Sequence, residues 1–318
     1  WNTGPSTIVK LSRKVPSAQD WVAVAIDGRR VDIARVEQRP GQRPRLAVFT
    51  TAEADPDPSA VLKRLTRELR LTRARVTALL SQGDYALLPV EAPDVPAAEL
   101  RTAVRWRLKD VLEYPPEEAT VDVVPLPQGS NSGGRPGQIL AVAARAANVS
   151  ACIDLFDGAR LGLAAIDIHE MAQRNLAALF EEGEKAVAMV SFTDRRGLFT
   201  ITARGQLHLA RTLDIGAEAL SRSVGATRAG LLDRLALELQ RSMDHFDRQF
   251  GGLQVSRLFV APFSAVDELR LALAESLYVP VEILDVARVL DIDDVPALRG
   301  RDAQGRHLRV LGAALRSA

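Results

Sequence analysis

A chain of 318 residues with 47% hydrophobic and 25% charged side chains has an ordinary globular composition and is long enough for two domains. Its 41 Lys and Arg nearly balance 40 Asp and Glu, a net charge of +1, which removes any global electrostatic case for a nucleic-acid binder. The lone Cys152 excludes an internal disulfide, no cysteine-histidine cluster suits a metal, and no apolar run reaches the ~20 residues of a membrane-spanning helix.

Residues 1–20 are polar and basic, with no apolar core of a signal peptide, and are expected to form a flexible tail outside the fold. Residues 21–26 then read as a strand, Asp27-Gly28 as a hairpin turn, and residues 31–36 and 46–50 as two further strands. After Asp57-Pro58-Ser59 the spacing of Val61, Leu62, Leu65 and Leu69 predicts a helix, and residues 76–80 return as a buried strand. The same order starts again near Ala186, with strands at 187–192, 198–203 and 207–213. A long amphipathic helix follows, striped by Leu232, Leu235, Ala236, Leu239, Met243, Phe246 and Phe250 and stopped by Gly251-Gly252, and a strand at 257–261 closes the unit. The repeat is either an internal duplication or a coincidence of a simple βββαβ pattern.

Between the units, residues 97–112 read as a helix, 121–124 and 139–144 as strands, 149–156 as a second helix and 163–166 as a strand, which makes a small α+β insertion. The Gly- and Ser-rich segment 128–137 lacks the context of a phosphate-binding loop and is expected to be a hairpin tip. Residues 264–277 predict a helix, 281–284 a strand and 308–315 a closing element. The acidic run Asp291-Ile-Asp-Asp294 lacks the glycine and distal glutamate of a calcium loop and is expected to be solvated. His169, His208, His245 and His307 stand apart from one another, so no catalytic constellation is expected. Lys63, Arg64, Arg67, Arg70, Arg73 and Arg75 are either an anionic-lipid face or the solvated side of a helix.

Three passages together resemble the PilM family of type IV pilus assembly proteins, and within it the MshI-type proteins of the MSHA pilus. They are ELRTAVRWRLKDVLEYPPEE at 99–118 with VDVV at 121–124, IDIHEMAQRN at 166–175, and ELQRSMDHF at 238–246 with LGAALR at 311–316. The resemblance implies an α/β, actin-like fold of the FtsA and PilM type, a ribonuclease-H-like duplication with an inserted small α+β subdomain. It divides the chain into a first domain (21–83, 162–185 and 308–318), an insertion (84–161) and a second domain (186–307).

Nucleotide-binding members carry a hydroxyl-rich phosphate loop after the first strand, and the resemblance places Ala25 or Asp27 at its aspartate, followed by Gly28, Arg29 and Arg30 in place of the hydroxyls. Arg29 and Arg30 are either an anion contact or a solvated turn. Ser191 stands at the second aspartate, and Ala261-Pro262 at the adenosine-side glycines, where proline removes an N–H. A degenerate site without nucleotide or metal is therefore expected, a pseudo-ATPase. The family also implies a partner, the cytoplasmic tail of a PilN- or MshJ-like inner-membrane protein, held as an extended peptide. The groove residues are Leu87, Leu88, Val104, Leu108, Leu140 and Val142, which serve equally as the subdomain's core. The expectation is a cytoplasmic adaptor, peripheral at the inner membrane, which joins other pilus assembly proteins and has scope to self-associate. Alternatives are an ATPase with ATP and magnesium that regulates pilus assembly or type II secretion, and, more distantly, an ASKHA-type small-molecule kinase.

Overall fold

The computed structural model describes residues 7–10, 21–28, 30–54, 57–72, 74–127 and 137–316. Arg29, Arg73 and residues 128–136 of the expected hairpin tip lie outside them. The chain opens with β1 (Thr7–Lys10), β2 (Trp21–Asp27), β3 (Arg30–Glu37), β4 (Arg45–Glu53), α1 (Pro58–Leu69) and β5 (Arg75–Leu79). The region set aside as a tail thus supplies a strand, because β1 pairs antiparallel with β4 at the sheet edge. Helix α1 starts where the Asp57 carboxylate accepts the Ser59 N–H at 2.9 Å, with Pro58 in the first turn, and it buries Leu62, Leu65 and Leu69.

A second, smaller sheet follows, made of β6 (Tyr85–Glu91), β7 (Ala119–Pro125) and β8 (Gln138–Arg145), with α2 (Leu100–Arg107) between its first two strands. Strand β8 lies in the middle, and Val104 and Leu108 pack against its Ile139, Ala141 and Ala143. The chain returns through α3 (Ala146–Gly158), β9 (Leu163–Asp167) and α4 (His169–Ala178). Helix α3 was expected inside the insertion, but Phe156 and Ala159 pack with Leu62 and Leu65 of α1. The helix also meets β7 and β8, so it joins the inserted sheet to the first lobe.

The second half comprises β10 (Ala186–Phe192), β11 (Gly197–Ala203), β12 (Gln206–Leu213), α5 (Ala217–Arg222), α6 (Gly225–Gln249), β13 (Val255–Val260), α7 (Val266–Ser276), β14 (Val281–Ile283) and α8 (Arg301–Ala314). Its strand order, β12-β11-β10-β13-β14, repeats the order β4-β3-β2-β5-β9 of the first sheet. In each, an antiparallel meander of three is extended by two parallel strands. The duplication thus runs further than βββαβ, with α3 answering to α7, β9 to β14 and α4 to α8.

The last helix of each half covers the sheet of the other. Helix α4 lies on β10, β11 and β12, helix α8 lies on β2 and β3, and the two helices pack against each other. This exchange explains why the central strands are apolar on both sides. Val22 and Val24 of β2 face α1, whereas Ala23 joins Phe49, Leu176 and Leu311 in the seam between the lobes. On β10, Ala188 and Val190 face α6, while Val187 and Met189 turn to the same seam. The helices approach so closely that a Cβ on Gly312 would lie 2.1 Å from the Ala172 carbonyl oxygen, and one on Gly305 would lie 1.8 Å from that of Pro262. Helix α8 starts before the expected element at 308, so the boundary with the second domain falls near Gly300.

The acidic run keeps Asp293 and Asp294 exposed, as expected, and also latches the lobes together. Asp291 N–H donates to the Pro44 carbonyl at 2.8 Å and the Asp291 carbonyl accepts from Leu46 N–H at 2.9 Å, while Arg45 pairs with Asp294 at 2.7 Å. On α1, Arg64 pairs with Glu68, and Lys63, Arg67 and Arg70 are exposed.

Candidate functional site

A cleft of about 980 Å³ opens between the lobes, and its walls come from matching places in the two repeats. The first lobe supplies the β2–β3 turn with Asp27 and Gly28, and Ser81 to Gly83 after β5; the second supplies the β10–β11 turn with Asp194, Arg195 and Arg196, and Pro262 to Ser264 after β13. These are the ends at which parallel strands leave their sheets, where open α/β sheets hold ligands. Helix α8 adds Asp302, Gly305, Arg306, Arg309 and Val310, and His169 at the start of α4 completes the lining.

Two polar clusters sit beneath this surface. In the first, Arg30 Nε donates to Asp32 Oδ2 at 3.0 Å and His307 Nδ1 lies 3.1 Å from the same oxygen, with the His307 ring edge-on to Phe49. Burial pushes the Asp32 carboxyl up, but the hydrogen bond and charge of His307, with Arg30, outweigh it and hold the group below its usual range. In the second, Tyr85 O–H donates to Glu170 Oε2 at 2.7 Å and accepts the His169 N–H at 3.2 Å. Tyr85 opens β6, so this cluster ties the root of the insertion to α4. Burial raises the Glu170 carboxyl and lowers His169 to about 3, the latter with help from the Arg309 charge. Burial also lowers the Arg309 guanidinium, against the attraction of Asp27, Tyr85 and Glu170.

No family model and no curated protein matches the chain. Among solved structures, a chain of a PilM-PilN type IV pilus biogenesis complex is 22% identical with a TM-score of 0.70, over 96% of this chain and 98% of that one. A Bacteroides thetaiotaomicron protein described as having an actin-like ATPase fold and unknown function is 11% identical with a TM-score of 0.51, over 87% and 94%. The fold is that of the actin-like ATPases. The exchanged helices and the interlobe cleft are its frame.

Within the actin-like cleft, Ala25, Asp27, Gly28 and Pro262 line the walls, as does Arg30. Ser191 and Ala261 do not. Ser191 Oγ donates to Gln173 Oε1 at 2.5 Å, and Gln173 Nε2 donates in turn to the Met189 carbonyl at 3.0 Å and Thr200 Oγ1 at 2.9 Å, so the serine is locked beneath α4. Ala261 continues the strand ladder with its N–H on the Val190 carbonyl at 2.8 Å and packs in the seam.

The six groove residues divide between two faces of the inserted sheet. Leu88 lies on the face covered by α2, where Val104 and Leu108 are fully buried. Strand alternation and the pairs Leu87↔Val142 and Pro89↔Leu140 put Leu87, Leu140 and Val142 on the opposite face. All six cannot line one groove. The clusters around Asp32–His307 and Tyr85–Glu170 were invisible in the sequence, since their members are separated by 275 and 85 residues. Arg306 and Arg309 left one usable signal, a three-residue spacing on a helix.

Proposed function

We propose that this protein is a non-hydrolysing actin-like adaptor of a type IV pilus assembly machine, of the MSHA type, held at the cytoplasmic face of the inner membrane by the tail of a PilN- or MshJ-like protein. The observation that carries the reading is the likeness to a chain of a PilM-PilN complex over nearly the whole of both chains. Support for working without nucleotide turnover comes from the cleft. Arg30 stands in the turn where a hydroxyl loop would cradle phosphate, Ser191 is engaged by Gln173, and Pro262 has no N–H to offer. On this reading ATP and magnesium are not resident cofactors.

The peptide belongs on the inserted sheet's open face, where Leu87 and Val142 are half-buried and Leu140 lies between them and Val124. An extended tail there would gain affinity from apolar contact with alternate side chains. Fluorescence anisotropy with a synthetic N-terminal tail of the PilN-like protein tests this. The unmodified chain binds, Val142→Glu does not, and Leu271→Glu on the exposed side of α7 binds normally. Failure of the unmodified chain to bind any such tail would sink the adaptor reading, and steady turnover of Mg-ATP would sink its non-hydrolysing part.

A further inference from the structure

We propose that the interlobe cleft binds a small multivalent oxyanion, a phosphate or dicarboxylate, through arginines from both lobes and without a divalent metal ion. Among the described residues, six arginines line the cleft: Arg30, Arg195, Arg196, Arg222, Arg306 and Arg309. Arg30 is held by Asp27 and Asp32, and Arg222 by Glu218. Among the described residues, no hydrogen bond or close ion pair engages the guanidinium groups of the other four. Among the described residues, the carboxylates on the same walls without an ion pair are Asp194 and Asp302, so unpaired positive charge exceeds unpaired negative charge there.

The arrangement of these groups matters as much as their number. Arg195 and Arg196 project from an exposed turn of the second lobe, while Arg306 and Arg309 lie one helical turn apart on α8, which packs on the first sheet. A ligand touched by both pairs would bridge the lobes. At the floor, the neutral ring of His169 is 7% exposed and lines the cleft. Among the described residues no carboxylate pairs directly with Arg309, although Asp27, Tyr85 and Glu170 lie near enough to attract its charge.

Guanidinium forks match oxyanions with two parallel N–H donors each, and they carry their charge without recruiting a cation. A divalent ion would meet four unpaired guanidiniums against the two free carboxylates, which favours an anion over a cation on these walls. The site is thus chemically unlike a magnesium-phosphate pocket although it occupies the same cleft. The inference stands apart from the adaptor reading, which depends on the inserted sheet and is tested with a peptide.

The test is isothermal titration of the full chain with inorganic pyrophosphate, inorganic phosphate and succinate, each with EDTA and again with excess magnesium. Pyrophosphate or phosphate binding in EDTA supports a phosphate ligand, succinate binding a dicarboxylate, and magnesium is expected to weaken either. The Arg195→Gln/Arg196→Gln double variant, altered only in an exposed turn, and the Arg309→Gln variant are each expected to weaken binding at least about tenfold. Lys63→Gln on α1 should leave it unchanged. Absence of binding by all three anions, a strict need for magnesium, or full affinity in both arginine variants would overturn the proposal.

Discussion

The seam between the lobes and the inserted subdomain are packed in opposite ways. In the seam, one continuous core joins both sheets through α4 and α8, and helix backbones approach so closely that glycine is required at 312. The subdomain has a single short helix on one face of a three-stranded sheet, and the other face is only half-covered. A region with many interlocked neighbours cannot yield locally, whereas one with few can shift or open by itself. The difference assigns the seam to holding the frame and leaves the subdomain as the part that can move.

The most severe way to break this contrast is Gly312→Val. With a backbone carbonyl 2.1 Å from the new Cβ, the helices must separate, and a loss above ~4 kcal/mol or failure to fold is expected in urea unfolding. Leu108→Ala, a cavity in the subdomain core, should cost about 2–4 kcal/mol. That loss should appear as early local opening in hydrogen exchange over residues 85–145, while the seam amides stay protected. Equal loosening of the seam would erase the distinction.

A third effect depends on pH. His169 is lowered to about 3, below its unfolded value of 6.5, so the unfolded chain binds more protons between those limits. Stability from this group is complete above pH 6.5 and is lost as pH falls toward 3, with a slope of up to ~1.4 kcal/mol per pH unit. Removing it with His169→Gln should flatten the curve of unfolding free energy across that window. The smallest effect belongs to the latch. A double-mutant cycle on Arg45 and Asp294, 43% and 56% exposed, should give about 0.2–1 kcal/mol and fall with added salt.

What the sequence disclosed follows from what is periodic in it. The stripe through Leu235, Leu239, Met243 and Phe246 and the alternation around Asp27-Gly28 identify elements because each buries one side against a single neighbour. Helix α8 defeats the same reading, since Gly305 and Gly312 look like breaks until the opposing backbone at Pro262 and Ala172 is known. The double role of α3 was hidden for a related reason: periodicity shows that Phe156 is buried but not against what. For the candidate site, strand alternation was legible along β6 and β8, but the side taken by α2 was not, so the groove set mixed two faces. Arg30 was legible in the first turn, whereas Arg306 and Arg309 were not, because their helix reaches the site from far along the chain.

The exchange of α4 and α8 also orders events during synthesis. The inner face of the first sheet, with Ala23, Ala34, Phe49 and Leu79, receives its main helical cover from α8, at residues 301–314. At about 5–20 residues per second, that surface waits roughly 10–50 s after β5 has left the ribosome. During this interval the nascent chain carries an uncovered apolar sheet, and a chaperone that shields it would stand in for a helix not yet made.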